Sequence, residues 1–324
     1  MAERVDVELT FPDPLLSEFE LSRQATHYPL GFPLELQTNS EDVIQAAAQS
    51  WQLFASEFDG NPVRISLGVC GSESLLPPPP VFRGRGHLMS IISDAENFVI
   101  CDFRRGFAFG WVTPQVAANH GFFRHHFLEA AGLSILDQLH LAPVHAALVA
   151  RNGRGVLLCG ESFAGKSTLA YACARAGWTY VTDDGTSLVR NRPDCYGIGN
   201  PHVIHFREDA RRQFPELAGQ LVTTRSNGKI GIEIFTRELP ITVAAGCTID
   251  QIVLLNRPEP GHALLKRYPK SEFLAWCERC ACYGEEHVRA AQRRCYQRLA
   301  GAGTWELRYQ DLDSAVLCLE TLVA

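Results

Sequence analysis

The stretch Gly155-Val156-Leu157-Leu158-Cys159-Gly160-Glu161-Ser162-Phe163-Ala164-Gly165-Lys166-Ser167-Thr168 decides how this chain is read. Residues 160–167 fit G-x-x-x-x-G-K-[ST], the pattern of a phosphate-binding P-loop. The apolar run before it predicts a short strand. The Ala-rich run after it, Leu169 to Ala176, predicts a helix. The pattern carries weight only in that strand, loop, helix setting. Glycine at 160 and 165 lets the backbone curl so that successive N–H groups face a phosphate. A helix opening at Lys166 adds the positive end of its dipole. The ligand implied is a nucleotide or other polyphosphate. Its candidate contacts are Gly160, Ser162, Ala164, Gly165, Lys166, Ser167 and Thr168. Lys166 would reach the outer phosphates, and the Ser167 hydroxyl suits Mg²⁺, which takes hard oxygen ligands.

Working outward, Ala146 to Ala150, a turn at Asn152-Gly153 and the strand at 155 predict a hairpin feeding the loop. Gly177 is expected to close the helix. Trp178 to Val181 reads as a strand ending in Thr182-Asp183-Asp184-Gly185. A strand after the P-loop helix is where a second carboxylate for a phosphate-bound Mg²⁺ is expected. Two carboxylates can divide the work, one serving the metal and one accepting a proton from an incoming hydroxyl. The same residues also fit a plain Asp-Asp-Gly turn.

Composition bounds the rest. With 324 residues, 46% hydrophobic and 20% charged, the chain is ordinary globular material long enough for two domains. A net charge of −6 argues against a nucleic-acid partner. Apolar runs such as Ile252-Val253-Leu254-Leu255 are too short to span a bilayer. Residues 1–6 lack a basic segment leading into an apolar one, so no signal peptide is expected and a cytoplasmic location is. The 11 cysteines are then read as reduced, small hydrophobes. Cys277-Glu278-Arg279-Cys280-Ala281-Cys282 contains one C-x-x-C, but a second matched pair is missing, and Ser271 to Leu299 reads as one helix.

Residues 1–120 read as a smaller β-rich domain and 121–324 as the core around the loop. Val5 to Leu9, Leu34 to Leu36 and Val63 to Leu67 alternate as half-buried strands do. A helix is expected from the Ser40-Glu41-Asp42 cap to about Phe54. Pro77 to Pro80 is a rigid connector. Three consecutive strands follow, at 87–92, 97–103 and 107–112. A helix is expected from about Asn119 to Leu139.

The segment from His145 through Arg190 resembles the catalytic core of the HPr kinase/phosphorylase family, bacterial serine kinases related in fold to the C-terminal part of phosphoenolpyruvate carboxykinases. The family pattern is a His, a hairpin, a P-loop and a strand ending in Asp-Asp. Here His145 stands 21 positions before Lys166, and Asp183 stands 17 after it. The resemblance implies an α/β fold, a P-loop core with a mixed, twisted sheet beside the smaller β-rich N-terminal domain. It implies ATP and Mg²⁺ as cofactors, Lys166 on the β- and γ-phosphates, and Ser167 with Asp184 on the metal. It makes Asp183 or Asp184 the base on a serine hydroxyl of a protein or peptide partner. His145 is placed near the reacting phosphate, or else is a strand-end histidine with a backbone partner. Arg207, in Ile204-His205-Phe206-Arg207, would clamp a phosphate or stand as a surface charge. Lys229, after Asn227-Gly228, is read as solvated. The family forms oligomers, although nothing in these residues argues for one. Two departures stand out. Phe163 replaces the family's glycine after Ser162, and residues 1–120 do not resemble the family's regulatory domain. A nucleotide-binding module with weakened catalysis, a kinase of a small hydroxyl compound and the reverse phosphorolysis therefore stay open.

Overall fold

A computed structural model describes residues 20–71, 75–224, 228–256, 263–279 and 284–324. The alternating run expected at Val5 to Leu9, and Cys280, Cys282 and Asn227, lie outside these residues. The chain divides into two compact units between Ile135 and Leu136.

The first unit is built on a mixed seven-stranded sheet. Its strands are β1 (Arg23–His27), β2 (Leu34–Thr38), β3 (Val63–Val69), β4 (Val81–Arg85), β5 (Leu88–Ile92), β6 (Phe98–Asp102) and β7 (Phe107–Val112), in the spatial order 1-2-3-7-6-5-4. β2 and β3 run parallel, so the chain must cross over between them, and the helix Glu41–Trp51 makes that crossing. Leu34 and Leu36 point inward while Glu35 and Gln37 face solvent, as the alternation predicts. The helix buries Val43, Ala46, Ala47 and Trp51. The stretch expected as one helix from Asn119 is interrupted. The Asn119 side chain accepts the Phe122 N–H and restarts the helix at His120, and a π-turn follows at Arg124–Leu128.

The second unit has a larger mixed sheet. Its strands are β8 (Leu141–Val144), β9 (Ala146–Arg151), β10 (Arg154–Cys159), β11 (Thr179–Thr182), β12 (Thr186–Val189), β13 (Tyr196–Ile198), β17 (Thr242–Val243), β18 (Gly246–Asn256), β19 (Leu264–Arg267) and β20 (Gly303–Arg308). β14 (Val203–Phe206), β15 (Thr223–Thr224) and β16 (Ile230–Phe235) form a separate antiparallel sheet. The hairpin β9–β10 turns at Asn152 and Gly153, both with positive φ of 54° and 77°, as a tight turn matched to strand twist requires. β10 then pairs parallel with β18, and β18 pairs parallel with β20.

Near-continuous apolar sequence in these strands has a direct consequence. Successive side chains alternate between two cores. Ala147, Val149, Val156 and Leu158 enter one core, with Leu169, Ala170, Cys173 and Leu319 from the helices Lys166–Arg175 and Leu312–Val323. Ala146, Leu148, Leu157 and Cys159 enter the other, with Phe273, Cys277, Cys295 and Tyr296. The latter four lie on two helices, Lys270–Glu278 and Glu286–Leu299, where the sequence suggested one continuous helix. Gly284, with φ of 99°, lies between them. Cys277 and Cys295 are core residues, and burial pushes the Cys295 thiol up. No helix among the described residues is long and apolar enough to cross a membrane.

Candidate functional site

β10 ends at Cys159 against the parallel strand β18, and the chain leaves the sheet through residues 160–165 before the helix Lys166–Arg175 begins. The loop is shaped by backbone conformations that ordinary side chains avoid. Gly165, the residue before the helix, has φ of 94°. A Cβ on Gly160 would lie 2.8 Å from that of Ala164. Phe163 also has positive φ, 76°, a conformation disfavoured for a ring-bearing residue. The residue is 72% exposed, and Arg207 Cζ lies 3.5 Å from the centroid of its ring. Within the loop, Ala164 donates its N–H to the Glu161 carbonyl at 3.1 Å. From outside, the Tyr309 hydroxyl donates to the Ala164 carbonyl at 3.3 Å.

The first helical turn supplies Lys166, Ser167 and Thr168. Lys166 is 7% exposed. Its ammonium donates to the carbonyls of Gly160 at 2.8 Å and Glu161 at 3.3 Å, and reaches Nε2 of His145 at 3.1 Å. An ammonium only donates, so Nε2 accepts and the ring hydrogen stands on Nδ1. That atom faces Asp184 Oδ1 at 3.4 Å. Lys166, His145 and Asp184 thus form one chain of contacts, from three segments that meet because β9, β10 and β11 are adjacent in the sheet. Burial holds both Lys166 and His145 below their usual pKa values. The Lys166 charge lowers His145 further, while Asp184 opposes the shift in each.

The two aspartates face different surroundings. Asp184 is exposed, whereas Asp183 is 3% exposed. Asp183 Oδ2 accepts the main-chain N–H of His205 at 2.8 Å, and its Oδ1 lies 3.6 Å from His205 Nδ1. His205 Nε2 lies 3.3 Å from Glu233 Oε2. Behind Asp183, burial and then the Asp183 charge push the Tyr180 hydroxyl well above its ordinary range.

The loop residues Gly160, Ser162, Ala164 and Gly165, with Lys166, Ser167, Thr168, His145, Asp183 and Asp184, therefore fall in one region. Arg207 joins it through Phe163. Lys229 stands apart from the sequence reading. It is exposed, yet close enough that its charge lowers both His145 and Lys166. His205 and Glu233 were not singled out by sequence. Their signal is the alternation in β14 and β16, which pairs His205 with Glu233 in register. Among the described residues, no group of three or more His, Cys, Asp or Glu side chains is placed to hold a metal by itself.

Chemically, the arrangement brings a cation, an imidazole and two carboxylates to a helix N-terminus. Such a site can hold an anion and move a proton. No family model matches the chain, and no curated protein does. Solved structures do match, among them the HPr(Ser) kinase/phosphatase from Coxiella burnetii. It shares 16% identity over 56% of this chain and 93% of that one, with a TM-score of 0.30.

Proposed function

We propose that this chain transfers the terminal phosphoryl group of ATP, with Mg²⁺, to a serine hydroxyl of a protein or peptide. The observation that carries this reading is the contact chain from Lys166 through His145 to Asp184 at the mouth of the 160–165 loop. A plain strand-to-helix turn has no reason to bury a lysine beside an imidazole and a carboxylate.

The donor set fits the cofactors. Mg²⁺ that rides on a nucleotide takes few protein ligands, commonly one or two oxygens, and keeps several waters. The Ser167 hydroxyl and the exposed Asp184 carboxylate would supply those oxygens. When bound, Mg²⁺ neutralises charge on the phosphates. Lys166 would hold the outer phosphates. His145 orients Asp184 through Nδ1. Asp183 is the proposed base: it sits at the end of the strand after the loop helix, where its Oδ1 makes only a long 3.6 Å approach to His205 Nδ1 and the Tyr180 hydroxyl bonds its carboxylate. It takes the hydroxyl proton as the acceptor oxygen gains the phosphoryl group.

The test uses γ-labelled ATP, Mg²⁺, serine-containing peptides and small hydroxyl compounds, beside an Asp183→Asn control. Label on a peptide serine, absent with the variant, supports the proposal. Label only on small compounds would transfer the reading to a small-molecule kinase. Phe163 favours a second reading, a nucleotide-binding module with weakened catalysis, since a strained aromatic stands at the loop tip. Tight nucleotide binding without transfer to any acceptor would select it.

A further inference from the structure

We infer that Phe163 is a positioning residue, whose ring carries the Arg207 guanidinium at the rim of the loop and presents it to the outer phosphates of a bound nucleotide. This rests on the nucleotide reading above.

Three observations carry it. First, the stacking is close. Arg207 Cζ lies 3.5 Å over the ring, well inside the roughly 6 Å range of a cation–π contact. A guanidinium stacks through its flat face and keeps its five N–H donors around the edge. The ring therefore fixes the plane of Arg207 without consuming a donor. Among the described residues no carboxylate pairs with Arg207, whereas neighbouring Arg211 is engaged by Glu208 at 3.5 Å.

Second, the ring has no role in a core. It is mostly exposed, and its backbone adopts a left-handed conformation that glycine would take without strain. A large residue held in such a place needs a compensating contact, and among the described residues the Arg207 stack supplies one. Third, Arg207 is anchored on the site side. It follows β14, whose His205 main-chain N–H grips Asp183. Loop tip and proposed base are thereby tied to one short segment. Arg207 is exposed and lines an open groove with Glu208, Asp209, Arg211, Arg212 and Ile230, so its outer edge is accessible.

The experiment measures binding of Mg²⁺–ATP and Mg²⁺–ADP by titration calorimetry to the full chain and to Phe163→Gly, Phe163→Tyr, Arg207→Ala and the Phe163→Gly/Arg207→Ala double variant. Phe163→Gly relieves the backbone and removes the ring, which separates strain from stacking. The expected result is a roughly two- to fivefold weakening of ATP binding for Phe163→Gly, about the worth of one exposed cation–π contact. ADP is expected to change much less. Phe163→Tyr should restore ATP affinity, and the double variant should bind no worse than Arg207→Ala alone. Unchanged or improved ATP affinity in Phe163→Gly overturns the proposal and leaves the nucleotide reading intact, as do additive losses in the double variant. Failure of the unaltered chain to bind either nucleotide overturns both.

Discussion

The Lys166 ammonium and Nε2 of His145 meet at 3.1 Å, inside a loop whose own carbonyls of Gly160 and Glu161 take the other donors. Burial lowers the proton affinity of both groups, so neither carries its charge as readily as it would in water. A phosphate arriving there meets a cation already stripped of solvent. Lys166→Met keeps the aliphatic stem and removes the charge. A lost charge-assisted hydrogen bond of about 1.5–3 kcal/mol corresponds to roughly ten- to a hundredfold weaker ATP binding. Calorimetric titration checks this, and unchanged affinity would remove Lys166 from the site.

Asp183 and His205 predict a separation between binding and turnover. Asp183→Asn should lower phosphoryl transfer by roughly 10²–10⁴, the usual worth of a general base, while ATP affinity stays within about twofold. His205→Ala should be milder. The 2.8 Å bond to Asp183 comes from the His205 main chain and survives the substitution. Only the ring, with its reach to Glu233, is lost. The expected outcome is a kcat reduced about tenfold with KM for ATP unchanged, since orientation rather than binding is disturbed. A raised KM with normal kcat would contradict this.

Stability should fall on mild acidification. Burial holds His27 below 6.5, and it holds His140 below 6.5 as well, with the Arg190 charge adding to the effect there. Below 6.5 the unfolded chain takes up protons that the folded histidines resist. The unfolded state then binds more protons, so stability rises with pH across this window and is lost as pH falls from 6.5 toward the lowered values. Urea unfolding at pH about 7 and about 5.5 should show a lower midpoint at the acid end. A His27→Gln/His140→Gln variant should flatten the dependence, and an unchanged slope would exclude both histidines as its source.

Leu158 is fully buried in the strand that delivers the loop, within the core shared by the helices Lys166–Arg175 and Leu312–Val323. Leu158→Ala opens a cavity there and should cost about 2–5 kcal/mol. The denaturant midpoint reads the loss directly. A cost under about 1 kcal/mol would mean that the core collapses onto the site.

Much of the second unit was legible because local chemistry and tertiary context agree. Asn152-Gly153 demands a tight hairpin, and the apolar run 156–159 needs cover on both faces. Lys166 begins a helix that closes at Gly177. What stayed hidden depends on partners far away in sequence. Nothing local to His205 says that its N–H meets Asp183 across 22 positions. Lys229 follows a turn and reads as a surface charge, yet its field reaches His145. The helix assigned to 271–299 failed for a different reason. Its periodicity runs on through residues 279–285, where Gly284 takes a left-handed turn that no hydrophobic pattern encodes. Phe163 read as a defect in isolation. Its partner Arg207 lies outside any window that a motif can span.

The Tyr309 hydroxyl that holds the Ala164 carbonyl has a consequence for the order in which the protein matures. Its donor lies 145 residues beyond its acceptor and is fixed only when β20 docks alongside β18. During synthesis, the 160–168 motif leaves the ribosome long before the strand that braces it. Contacts of such sequence separation close slowly, after local helices and hairpins have formed. Ligand competence should therefore be among the last properties the chain acquires, and nucleotide would act on folding as a late clamp.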